Sequence, residues 1–285
     1  MPKLDDKKVG KDTLLEYLNA NSDFSFELKT LNMLREKGIS CNHGGHYEDP
    51  VTGKSREFDI RATKISGDYG VKLAIECKNI REKFPVLIST LPRKKEESFH
   101  EIAMLNSGEG NKLFPNPIMA PRAKIIRVSQ DNSIYSQDKK VGKSIAQVGT
   151  IKQGEIYSND SEIYDKWGQC LSSANDLVRD SYFDSDNMKF ASVLPIVVIP
   201  NERLWVASYN ADGELISQPR QTNRCSFFID RKYSMGNDFV NREMSLSHIE
   251  IMTVKGLEEF IDNTLNSDLE DHKLFSSEAI MESFK

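Results

Sequence analysis

The sequence predicts an α/β domain with a mixed central β-sheet flanked by helices. Three observations predict it. Segments with the twofold alternation of strands are interleaved along the chain with segments of helical spacing. Val193 to Ile199 is a continuous apolar run, as expected of a strand covered on both faces. The 285 residues, 38% hydrophobic and 28% charged, have the balance of a globular protein large enough for one sizeable core. No linker interrupts the pattern, so residues 1–285 are expected to form a single domain.

The elements follow in order. The first ten residues are polar, and Asp12-Thr13 can cap a short helix through Leu18. A second helix is expected from Phe24 to Lys37, with Phe24, Leu28, Leu31 and Leu34 as its apolar stripe and Gly38 as its stop. Asn42 to Ser55 is rich in Gly, His, Pro and Asp and reads as a loop. Two strands follow, Arg56 to Thr63 and Val71 to Lys78, joined by Ser66-Gly67-Asp68-Tyr69-Gly70. Phe84 to Thr90 is another. Leu91 to about Asn132 reads as irregular apart from a strand at Ala123 to Ser129. Lys143 to Val148 falls within a candidate helix. Asp160 to Asp180 is a long helix, with Ile163, Trp167, Cys170, Leu171, Ala174, Leu177 and Val178 at helical spacing. Val193 to Ile199 and Arg203 to Tyr209 are strands on either side of Pro200-Asn201-Glu202. Ile249 to Thr253 is a short strand and Gly256 to Leu265 a helix. The tail, about 266–285, is acidic and expected to be peripheral.

The net charge of −5 does not advertise a polyanionic partner, but the charge is uneven. Lys112 to Lys152 holds eight basic residues against two acidic ones, whereas Leu257 to Lys285 holds eight acids against two lysines. The first segment can face a phosphate backbone and the second cannot. Cys41, Cys77, Cys170 and Cys225 are far apart and form no CxxC, which argues against a disulfide framework or a structural zinc site and places the chain in a reducing cytoplasm. No apolar run is long enough to span a membrane, and the first residues have no apolar core of the kind a secretory signal needs.

The chemistry concentrates in the two strands after the loop. Strand alternation puts Phe58, Ile60 and Ala62 on one face and Glu57, Asp59 and Arg61 on the other. It puts Val71, Leu73, Ile75 and Cys77 together and sends Glu76 and Lys78 the opposite way. If the hairpin is symmetric about Gly67-Asp68, opposed residues have numbers that sum to 135, and Asp59 then faces Glu76. Two opposed carboxylates repel unless a cation lies between them, and hard oxygen donors suit Mg²⁺. On the preceding helix Glu27 follows Phe24 by three and precedes Leu31 by four, so an acid sits on or beside the buried stripe, where its charge needs compensation.

The set Phe26-Glu27-Leu28, Phe58-Asp59-Ile60 and Ile75-Glu76-Cys77-Lys78 resembles the PD-(D/E)XK nucleases, the restriction-endonuclease-like superfamily. Phe58 stands where the family name implies Pro. The resemblance covers residues 24–79 with motif support and, beyond Asn79, only the order of strands and helices. It implies a restriction-endonuclease-like core, completed by residues 80–285, which supply the substrate-binding elements. It also implies Asp59, Glu76 and Glu27 around Mg²⁺, which Mn²⁺ can replace. Lys78 would assist water and phosphate, and the reaction would be phosphodiester hydrolysis in DNA. A type II restriction enzyme or phage-defence nuclease is the leading expectation, with a homodimer to cut both strands. The alternatives are a repair or recombination nuclease of the same fold and a non-catalytic nucleic-acid-binding protein. The competing reading of the motif itself is a surface hairpin whose Asp59, Glu76 and Lys78 form a salt-bridge ladder.

Candidate DNA-backbone contacts are Lys64, Arg81, Lys83, Arg93, Lys94, Lys95, Arg122, Lys124, Arg127, Lys139 and Lys140. Ser144 and Gln147, one turn apart on the expected helix, are polar residues that could reach the site. Cys41, His43 and His46 spell C-x-H-x-x-H in a Gly-rich loop, either a transition-metal set or a loop that touches substrate. Trp205 and Tyr209 read as core rather than base-stacking residues. Gly142-Lys143-Ser144 lacks the earlier glycine of a phosphate-binding loop, because position 137 is Gln137, which disfavours an ATPase.

Overall fold

The computed structural model describes residues 8–20, 22–49, 51–105, 123–151, 154–181, 188–235, 242–270 and 272–284. Its elements run α1 (Lys11–Ala20), α2 (Asp23–Glu36), β1 (Ser40–His43), β2 (His46–Glu48), β3 (Ser55–Glu57), β4 (Ile60–Ser66), β5 (Tyr69–Cys77), β6 (Val86–Pro92), β7 (Phe99–Leu105) and β8 (Ala123–Ser129). They continue with β9 (Lys140–Thr150), β10 (Ile156–Asn159), α3 (Ser161–Ser181), β11 (Phe190–Ile199), β12 (Leu204–Tyr209), β13 (Leu215–Gln221), β14 (Arg224–Met235), β15 (Arg242–Thr253), α4 (Val254–Phe260) and α5 (Ser277–Glu282). The chain is α/β, with a large mixed sheet in the order β1-β4-β5-β11-β15-β14-β9-β6-β12-β13 and helices on its faces.

α2 ends where its sequence says it should. Gly38 has φ +74, and Gly38 N–H and Ile39 N–H donate to the carbonyls of Arg35 and Leu34, closing the last turn with the left-handed residue that glycine supplies without strain. Leu31 and Leu34 are buried against Val71, Leu73, Ile75 and Cys77 of β5, each such side chain contributing about 1.5–3 kcal/mol. Phe24 departs from the expected stripe. It is 60% exposed and lies 6.0 Å from the His43 ring, because the stripe meets the sheet only after the first turn.

The hairpin register is as expected: Ile60 opposes Ile75, Ala62 opposes Leu73 and Ser66 opposes Tyr69, pairs that all sum to 135. The strand predicted from Arg56 breaks at Phe58-Asp59, however, into β3 and β4. Phe58 leaves the Ile60/Ala62 face and packs on Tyr47 and the Arg61 guanidinium, 4.4 Å away. The expected loop at Asn42 to Ser55 also carries short strands, β1 on the edge of β4 and β2 paired with β3.

Three other expectations are corrected. Lys143 to Val148 is not helical; it lies in β9, antiparallel to β6, where Ile88 opposes Ile145 and Val86 opposes Gln147. Cross-strand pairing overrides a composition that tolerates a helix. Leu91 to Asn132 is not irregular throughout, since β7 pairs with β8 and with the start of β11. The acidic tail is not peripheral: Leu269, Leu274, Phe275 and Ile280 are buried in the same core cluster as α2 and β5. Among the described residues its charges, Asp268, Glu270, Lys273, Glu278 and Glu282, are exposed beside an apolar row that the net charge conceals.

β11 runs parallel to both β5 and β15 and is buried along most of its length. α3 covers the face opposite α2, with Ala174 and Val178 packed among Ala74, Ala191 and Val193. β9 meets β14 at Phe227 and Gly142, where an added Cβ would fall 2.6 Å from the Phe227 ring, so only glycine lets the two halves of the sheet close. Trp205 and Tyr209 are half-buried in β12. Among the described residues no helix is long and apolar enough to cross a membrane.

Candidate active site

The site forms where β4, β5, α2 and α3 converge. Asp59 sits one residue before β4 pairs with β5, and its carboxylate accepts the Cys77 N–H at 2.8 Å. Its own N–H reaches back to Glu76 Oε1 at 3.4 Å. The two carboxylates therefore meet across the hairpin, where the register places them. Glu76 is 1% exposed. Burial first, then the neighbouring Asp59 charge, push its carboxyl up to about 8.

The cation between them is a lysine that sequence reasoning missed. Lys166 Nζ lies 2.7 Å from Asp59 Oδ2 and 3.2 Å from Glu76 Oε2. Burial alone would lower the Lys166 ammonium, but the two carboxylates outweigh it and raise its affinity for the proton. The signal was present. Lys166 follows Ile163 by three and precedes Cys170 by four, so it stands on the buried stripe of α3, as Glu27 does on α2.

Three ties fix α3 over the pair. Arg61 bonds Asp176 at 2.8 Å and Ser173 Oγ at 3.2 Å, while its guanidinium lies over the Tyr47 and Phe58 rings. Asp49 accepts the Ser172 hydroxyl at 3.0 Å and the Arg56 Nε at 2.5 Å. The Cys170 thiol donates to the Ala74 carbonyl at 3.3 Å.

Glu27 points toward this centre from α2. Its Oε2 lies 3.4 Å from His43 Nε2, and burial followed by the Asp59 charge raises its carboxyl above the ordinary value. Lys78 does not project with Glu76. Its ammonium pairs with Asp23 at 3.0 Å, and Asp23 also accepts the Asn79 N–H at 2.7 Å, locking the start of α2 to the end of β5. Among the described residues no group of three or more His, Cys, Asp or Glu side chains is placed to hold a metal ion. The acids that meet are the pair Asp59 and Glu76, with Glu27 beyond them. The competing reading of ion-paired acids holds in part, with Lys166 bridging Asp59 and Glu76 while Lys78 is drawn off to α2.

The remaining candidates divide. Arg93 is a poor backbone contact. It is 4% exposed and donates to the Ser136 carbonyl and Ser226 Oγ. Arg127 pairs with Glu101 and lies 4.0 Å over the Phe99 ring. Lys124 bonds the Ser283 carbonyl, and Lys64 bonds Asn266. Arg81, Lys83, Lys94 and Lys95 are exposed, as a phosphate contact requires. Arg122 lies outside the described residues. Gln147 is buried in β9, its Nε2 3.4 Å from the Phe84 carbonyl, so it is a strand residue rather than one turn of a helix from Ser144. Cys41 donates to Ile39, and all four cysteines are free.

The Glu76 shift carries a pH dependence. An acid whose folded pKa exceeds its unfolded value of 4.5 binds its proton more tightly when folded. Glu76's contribution to stability is therefore full below about 4.5 and is lost as pH rises toward about 8, at no more than about 1.4 kcal/mol per pH unit for one proton. Urea denaturation without divalent cation is expected to show this decline in the wild type and a flatter profile in Glu76→Gln. No protein-family model matches the chain, and neither does any curated protein or solved structure, so the reading of the site rests on this geometry.

Proposed function

We propose that the chain is a Mg²⁺-dependent endonuclease that hydrolyses phosphodiester bonds in DNA, on a restriction-endonuclease-like core whose catalytic motif lies in residues 24–79 and whose sheet is completed by residues 80–285. The observation that carries this reading is that Asp59 and the buried Glu76 share a single ammonium, that of Lys166. One positive charge is too little for two ionised acids, so Glu76 holds its proton up to about 8, and a divalent ion would take the place of both that proton and the flexible Lys166 ammonium. Mg²⁺ needs only one or two carboxylates and fills its remaining positions with water and phosphate oxygens, so the pair fits it without a third acid; Mn²⁺ accepts the same donors. When bound, the ion would make water more acidic and offset the charge that grows on the phosphate and the leaving oxygen.

The protein's own groups do the rest. The Cys77 N–H orients Asp59. Glu27, with its raised carboxyl and its contact to His43, can take a proton from the attacking water. Lys166, now on Asp59 and Glu76, would be free to hold its charge beside the phosphate if a divalent ion took its place between them. Lys78 holds the N-terminus of α2 in position through Asp23. The exposed Arg81 and Lys83 follow directly after the motif, where the DNA backbone would run. Cutting both strands needs two such centres, which a C2 homodimer supplies.

Supercoiled plasmid incubated with the protein and Mg²⁺ is expected to be nicked or linearised, and to stay intact with EDTA. Discrete fragments would mark a restriction enzyme, and a smear a non-specific defence or repair nuclease. Plasmid left intact with both Mg²⁺ and Mn²⁺ would refute the proposal.

A further inference from the structure

A cavity of about 470 Å³ opens between β6, β12, β13 and the start of β14. β11 and β15 separate these strands from the Asp59–Glu76 hairpin in the sheet order. Arg93, Lys139, Lys140, Arg220 and Arg224 line it, against one carboxylate, Asp138. Glu250 neutralises Arg224 through two bonds of 2.8 Å, and Asp138 lies 3.4 Å from Lys139. Among the described residues Arg93, Lys140 and Arg220 have no ion pair, and Arg93 feels the Glu250 charge only at a distance, through a carboxylate already bonded to Arg224.

Arg93 is the informative one. It is 4% exposed, yet its bonds run only to a neutral carbonyl and a neutral hydroxyl, and its Nε–H has no partner among the described residues. A buried guanidinium is ordinarily matched by a carboxylate, because an unmatched buried charge is costly. Burial accordingly weakens Arg93's hold on its proton. Thr90, Ser208 and Thr222 also line the wall, their hydroxyls engaged with Ala207, with each other and with Arg224, and Ile134 and Val206 add apolar surface. The volume lies within the range of small-ligand sites. Forked guanidinium donors and an excess of positive charge are the groups that recognise a phosphate, and the apolar wall leaves room for what the phosphate carries.

We propose that this cavity binds a phosphomonoester of nucleotide size, either a free nucleotide or the phosphorylated end of a nucleic-acid strand. The inference stands apart from the Asp59–Glu76 centre, since it uses none of the residues placed there, although the sequence marks Arg93, Lys139 and Lys140 as candidate DNA-backbone contacts. Calorimetric titration of the full chain at low salt would use dAMP, deoxyadenosine, a 5′-phosphorylated oligonucleotide and its 5′-hydroxyl counterpart. Saturable binding is expected for a phosphorylated probe and not for its unphosphorylated match. Binding by dAMP identifies the free nucleotide as sufficient, and binding only by the phosphorylated oligonucleotide identifies the strand end. Arg220→Ala and Lys140→Ala, both at exposed positions, should each weaken binding about tenfold, while Asp59→Ala leaves it unchanged. Equal binding of dAMP and deoxyadenosine, no saturation by any phosphorylated probe, or full affinity in the Arg220→Ala/Lys140→Ala double variant would overturn it.

Discussion

Asp59→Ala and Glu76→Ala are each expected to lower Mg²⁺-dependent plasmid cleavage on the order of 10³-fold, the size of effect that follows loss of one preorganised charge-stabilising group. The reason is their shared geometry. Asp59 is oriented by the Cys77 N–H, Glu76 is buried beneath it, and each faces the same cation. Removing either leaves one carboxylate, and the residual cation site loses both charge and direction. Glu27→Gln should cost less, because Glu27 stands one contact further out, against His43. Lys78→Ala should act mainly through stability, since its partner is Asp23 at the start of α2. Initial nicking rates at saturating Mg²⁺ separate these outcomes. Cleavage that persists in both Asp59→Ala and Glu76→Ala would place the chemistry elsewhere.

The second large effect concerns Lys166. Lys166→Met deletes the ammonium that holds two carboxylates together in a half-dry pocket, its own side chain being only 14% exposed. Breaking a buried ion pair by removing one member costs about 3–5 kcal/mol, because the remaining charge is left uncompensated. Without divalent cation the variant should therefore unfold at markedly lower urea concentration than the wild type. Millimolar Mg²⁺ should recover much of that loss, since it no longer competes with an internal ammonium. The Mg²⁺-dependent gain in stability should be larger in Lys166→Met than in the wild type. Equal gains would mean that the cation does not bind where Lys166 sits. The same substitution should slow cleavage even when Mg²⁺ is saturating, because an amine near the phosphate is lost.

Much of the centre was legible in sequence because it is local. Gly38 announced the end of α2, and the Gly67-Asp68 turn set a register in which Asp59 had to meet Glu76. Glu27 was found because an acid on an apolar stripe demands an explanation. Lys166 obeyed the same rule on α3, but its partners lie 107 and 90 residues away and no local pattern links them. Lys78 was misjudged because alternation was extended past the end of β5, where the chain has left the pleat and Asp23 captures the side chain. β9 and the tail were misread for another physical reason. Burial of Ile145 and Gln147 depends on β6, and burial of Leu274 and Phe275 depends on the face shared with α2, contacts that composition cannot show. Arg93 looked like a surface cation in the run Arg93-Lys94-Lys95, yet it turns inward beneath Tyr135, 5.5 Å from the ring.

The most direct measurement is a crystal soaked in Mn²⁺ and recorded at the manganese absorption edge. The account predicts an anomalous peak between the Asp59 and Glu76 carboxylates, with the Lys166 ammonium moved away from both. Lys166 still bridging the two acids at high Mn²⁺, with no peak beside them, would contradict it.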